Sequence, residues 1–108
     1  MGKKKWPIEK YGEDFQSKID DWKKKHGKVH YIATEDGKEL FLKPPNRATV
    51  AMAMSKSRNS PLALVEVIIK NCWLAGDEEV KEDPGYLVGL AEHVDTIIGT
   101  KKAKIKNL

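Results

Sequence analysis

Ser60-Pro61-Leu62-Ala63-Leu64-Val65-Glu66-Val67-Ile68-Ile69-Lys70-Asn71-Cys72-Trp73-Leu74-Ala75-Gly76-Asp77 is the densest apolar run in the chain, and its reading decides the fold. Ser60 suits an N-cap, where its hydroxyl accepts from an early backbone N–H. Pro61 then falls at the first helical position, where a missing N–H costs nothing. Leu62, Val65, Ile69, Cys72 and Trp73 form one stripe at three- and four-residue spacing. Leu64, Val67, Ile68 and Leu74 widen it until little but Glu66, Lys70 and Asn71 is left for water. A helix apolar on most sides is a central one. The run therefore predicts a buried rod over residues 61–75, ended by Gly76 in a left-handed conformation.

Working outward, Asn46 is a candidate N-cap for a short helix from Arg47 to Ser57, with Val50, Met54 and Ala51 inward. On the other side, Asp77 to Asp83 is an acidic connector with room for one helical turn. Asp83-Pro84 repeats the cap-plus-proline start. Tyr86, Leu87, Leu90, Val94, Ile97 and Ile98 give the last helix its stripe, which runs past Thr100 into a lysine tail. Gly89 is placed to allow close approach to the central helix.

Upstream, Ile8, Tyr11, Phe15, Ile19 and Trp22 recur at helical spacing, and Gly27 stops that helix. Gly12 weakens it by roughly 1 kcal/mol relative to Ala. Lys28 to Thr34 and Lys38 to Lys43 are β-rich runs separated by Glu35-Asp36-Gly37, which predicts a hairpin. Both faces of the hairpin carry apolar groups, which leaves open an exposed edge or a second covered face. The expected architecture is α+β: an N-terminal helix, a β-hairpin, then three helices clustered around a central buried one. Residues 1–7 are expected as a basic flexible arm, 8–100 as one domain, and 101–108 as a lysine-rich frayed tail.

With 108 residues the chain can bury roughly two-thirds of its unfolded surface in one modest core. The net charge of +4 sits at the ends. Without Lys3, Lys4, Lys5, Lys101, Lys102, Lys104 and Lys106 the body is mildly acidic. No apolar run approaches the roughly 20 residues of a membrane span. The basic N-terminus has no following apolar region and does not read as a secretory signal. The single Cys72 fits a reducing cytoplasm.

The chemistry-bearing residues form no recognisable constellation. His26, His30 and His93 fall in three elements without a metal-ligand spacing. Cys72 reads as a buried core thiol, and buried thiols are inert. The run Asp77 to Asp83 lacks the alternating oxygen ligands and central Gly of a calcium loop. Gly85 and Gly89 have no following Lys-Ser or Lys-Thr, so no phosphate loop is expected. The sequence therefore predicts no enzyme, cofactor or metal site. Arg47 marks either a surface contact or a helix start paired with the acidic connector. Trp6, beside lysines, is the aromatic expected to touch a partner. Met52 and Met54 either fill the core or adapt to varied partners.

Asp36-Gly37-Lys38 leading into Phe41-Leu42-Lys43-Pro44-Pro45-Asn46-Arg47, then Ser60-Pro61-Leu62, then Asn71 to Glu79 and the lysine-rich end form a recognisable set. The set resembles tail assembly chaperones of phages and prophages, a largely uncharacterised group that includes proteins of gut bacteria. The resemblance covers roughly residues 29–108. It implies a non-enzymatic role in the bacterial host cytoplasm, keeping a tape-measure or tail-tube protein soluble. Trp6, Phe41, Arg47 and Met52 are the expected partner contacts, and the hairpin edge is a route to a homo-oligomer. The alternative is a small basic nucleic-acid-associated protein of a mobile element, motivated by the lysine ends.

Overall fold

A computed structural model describes residues 6–108. The chain is α+β, with a small antiparallel sheet between two unequal helical layers. In order, α1 spans Ile8–Tyr11, α2 Phe15–His26, β1 His30–Ala33, β2 Glu39–Leu42, α3 Arg47–Ser57 and α4 Pro61–Cys72. Then come β3 at Trp73–Gly76, a 3-10 turn at Glu78–Lys81, α5 at Pro84–Ala91 and α6 at Val94–Ile98.

The three expected helix starts are built as their residues dictate. The Asn46 side chain accepts from Thr49 N–H at 2.8 Å, Ser60 from Leu62 N–H at 3.2 Å, and Asp83 from Gly85 N–H at 2.8 Å. In α4, Val65, Val67, Ile68, Ile69 and Cys72 are buried, while Glu66, Lys70 and Asn71 face water.

The rod over 61–75 is overturned at its C-terminal end. The chain leaves the helix at Trp73, and Trp73–Gly76 runs as β3 along β2. The sheet order is β1-β2-β3, so β2 is central. A two-stranded hairpin would leave one backbone edge of β2 unpaired inside the protein, and unpaired buried N–H and C=O groups are costly. The segment after α4 supplies the partner. Gly76 is therefore a strand residue and not a helix terminator. Its φ is +140°, and an added Cβ would stand 2.5 Å from the Glu39 carbonyl oxygen.

Both sheet faces are covered, which explains the apolar groups on both sides of the hairpin. Leu40 and Leu42 join α4, Ala53, Val80, Leu87, Leu90 and Ile97 in the larger core. Phe41 points the other way, into a cluster with Phe15 and Ile19 ringed by Trp6, Tyr11, Trp22, Leu74 and Ala75. The register of β2 with β3 slips between Phe41 and Leu42. This bulge puts both Leu74 and Ala75 on the aromatic cluster, while Trp73 packs on the larger core.

Two predicted helices are broken. Gly12, with φ +87°, separates α1 from α2. The last helix turns at Glu92-His93, and Gly99 in the left-handed region ends α6 before Thr100. Gly89 does not serve a close approach to α4, since a Cβ there would meet nothing within 4 Å.

A polar knot fastens α1 to the end of the sheet. Lys10 Nζ reaches Asp77 at 2.8 Å and Glu39 at 3.3 Å. Glu39 also accepts from the hydroxyls of Tyr11, at 2.9 Å, and Tyr31. Burial pushes the Glu39 carboxyl up, but hydrogen bonds from Tyr31, Tyr11 and Lys10 outweigh it and hold the group at about 2 against its usual 4.5. The folded state thus binds fewer protons here than the unfolded chain. Stability from this group is complete above the usual 4.5 and is lost as pH falls toward about 2. Urea midpoints measured across this window should fall with acidity, and Glu39→Gln should flatten the fall while leaving the part carried by Asp77. An unchanged slope in Glu39→Gln would show that the knot does not carry the acid sensitivity.

Candidate binding surfaces

The four residues expected to meet a partner are not brought together. Phe41 is 1% exposed at the centre of the aromatic cluster and offers no surface. Trp6 does not wave in an arm. Its Nε1 donates to Gln16 Oε1 at 2.9 Å, and its ring meets Tyr11, Phe15, Tyr31 and Phe41 edge-on at 5.2–5.9 Å. The rest of the expected arm, residues 1–5, lies outside the described residues. Arg47 opens α3 exposed and forms no ion pair with the acidic connector or with any other described residue.

Met52 is where a partner could reach it. α3 buries only Thr49 and Ala53, one turn apart, with Val50 and Ser57 half-buried beside them. Ala53 is fully buried, and a small residue at that point lets α3 lie close on α4. Once Thr49 and Ala53 set the helical phase, Met54 is rotated outward, contrary to the expectation from the sequence. Met52 is 47% and Met54 54% exposed. Met52 and Met54, two residues apart, flank opposite sides of the outward surface of α3, with exposed Ala48 and Ala51 between them and exposed Arg47, Lys56 and Arg58 on and just after the same helix.

A second surface was not foreseen. A groove of about 600 Å³ lies between the hairpin turn and α5, with Ile32 and Leu90 in its wall. Glu35, Asp36, Asp83 and Glu92 border it. Asp36 accepts from the hydroxyls of Thr34 and Tyr86, and these bonds hold its carboxyl below the usual range. The same bond to Asp36 is the main cause pushing the Tyr86 phenol up to about 12. The groove joins residues about fifty positions apart in sequence, and no local pattern announces that pairing.

The titratable core groups are isolated. Burial pushes the Cys72 thiol up. Burial and the charge of Lys28 push the His30 imidazole down. Among the described residues, no three His, Cys, Asp or Glu side chains are grouped to hold a metal ion. Among the same residues, no helix is long and apolar enough to cross a membrane. Comparison with protein-family models, curated proteins and solved structures found no match.

Proposed function

We propose that the protein is a non-enzymatic holding protein that binds an apolar helical client through the outer face of α3. The exposure of Met52 and Met54 carries this reading. Flexible thioether side chains adapt to differing apolar partners, and helices dock by laying one apolar face against another surface. The resemblance to tail assembly chaperones supports the same role in a bacterial cytoplasm, with a tape-measure or tail-tube segment as client. Arg47, Lys56 and Arg58 favour a client whose apolar stripe is flanked by acids.

A tape-measure fragment that aggregates alone provides the test. The wild-type protein should suppress its light scattering near equimolar ratio. The variant Met52→Glu with Met54→Glu should lose about tenfold or more in affinity while its thermal melt is unchanged, because both side chains are exposed. Equal suppression by the variant would overturn the assignment to α3. Failure of the wild-type protein to suppress aggregation would overturn the holding function.

A further inference from the structure

We propose that residues 101–106 of one copy add as a fourth strand to the outer edge of β1 in a second copy. This goes beyond the client-binding reading and uses a different surface. Thr34 N–H donates to the Lys38 carbonyl at 2.8 Å, and β1 pairs with β2 as Ile32↔Leu40 and His30↔Leu42. Antiparallel alternation then turns the backbone N–H and C=O of Ala33 away from β2. Among the described residues no strand lies on that side of β1. The groove bordered by Glu35, Asp36, Asp83 and Glu92 runs beside it, and none of these four acids forms an ion pair among the described residues.

The tail has the complementary features. Gly99 turns the chain off α6, and residues 101–108 are exposed, without helix or strand. Lys102, Lys104 and Lys106 alternate with Ala103 and Ile105, the two-residue period of a strand. Ile105 is 94% exposed. At about 3.3 Å per residue, the stretch from Lys102 to Lys106 spans roughly 13 Å, similar to β1. As an added strand it sets its three lysines on one face, toward the acidic groove, and Ala103 and Ile105 on the opposite face. Main-chain bonds supply the attachment, and the charge match selects the strand. Reciprocal exchange between two copies closes the assembly as a dimer.

Sedimentation of the full chain at rising concentration tests this. A dimer is expected at low salt, weakened by added salt. Lys102→Glu with Lys104→Glu and Lys106→Glu should weaken it about tenfold or more, as should Glu35→Lys with Glu92→Lys. Mixing the two charge-reversed proteins should restore a dimer. Ala33→Pro removes an outward N–H and should abolish pairing with all charges kept. If that variant fails to fold, the charge exchange decides alone. A full chain that stays monomeric overturns the proposal, as does a dimer that survives lysine reversal. Tail ordering independent of concentration would place the tail on its own chain and also overturn it. So would salt-sensitive DNA retention by the lysines without self-association.

Discussion

Gly76→Ala is expected to destabilise the protein by about 3 kcal/mol or more, although it adds a single methyl group. The new Cβ would lie 2.5 Å from the Glu39 carbonyl oxygen and 2.6 Å from Leu40 Cα. Both are backbone atoms of the central strand, so neither can swing aside as a side-chain tip would. The φ of +140° is also one that residues with a Cβ rarely adopt. Relief requires β3 to move off β2. That movement breaks the Leu40↔Gly76 pairing and the 2.9 Å bond from Asp77 N–H to the Glu39 carbonyl. It also pulls Asp77 from Lys10, which loosens the polar knot. Urea unfolding followed by far-ultraviolet circular dichroism measures the loss. Gly89→Ala is the control: it sits in α5 with open space around it, and should stabilise by about 0.5–1 kcal/mol. If Gly76→Ala costs no more than a surface change, β3 does not cross β2 in this register.

Phe41→Ala should cost about 3–5 kcal/mol, the range for removing a buried aromatic side chain. Its effect should also be local in a way that can be observed. The Phe41 ring stands 5.1 Å from Phe15, 5.2 Å from Trp6 and 5.8 Å from Tyr11, all edge-on, and 5.1 Å from Tyr31. It is the sheet's principal contribution to the cluster that holds α1 and α2, whereas α3 to α6 pack on the opposite face through Leu40 and Leu42. Loss of the ring should therefore release the N-terminal helices before the larger core melts. Trp6 and Trp22 fluorescence should shift red at urea concentrations that leave most of the helical signal intact. Phe41→Leu, which retains apolar volume, should lose less. Coincident loss of both signals at an unchanged midpoint would show that the N-terminal layer does not depend on this ring.

These two residues also show how far the chain could be read locally. Phe41 belongs to a correctly expected strand, but its apolar neighbours on both sides gave no hint of which layer it would enter. A central strand covered on both faces is apolar throughout, and alternation disappears. The run from Leu62 to Ala75 has the same ambiguity at its end. Periodicity does not separate a buried helix from a buried strand when every position is apolar. α3 shows a third form of it. With Ala and Met on most sides, its inward face is set by the fit of Thr49 and Ala53 against α4, so the expected inward placement of Met54 and Ala51 fails, and the choice between core and surface that the sequence leaves open for both methionines falls to the surface. The acidic groove had no local signal, because hairpin turn and α5 meet only through the fold.

By itself the sequence determined the α+β class, the hairpin turn and the starts of α3, α4 and α5. Each of these rests on interactions within a few residues: a side chain on a nearby N–H, a proline at the first helical position, a glycine at a turn. Only the tertiary structure decided that Trp73–Gly76 would be a strand, that the sheet would be covered on both faces, and that Met52 and Met54 would remain in water. Those outcomes depend on which distant backbone edge needs a partner and which helix faces fit together, and neither is encoded in the spacing of neighbouring residues.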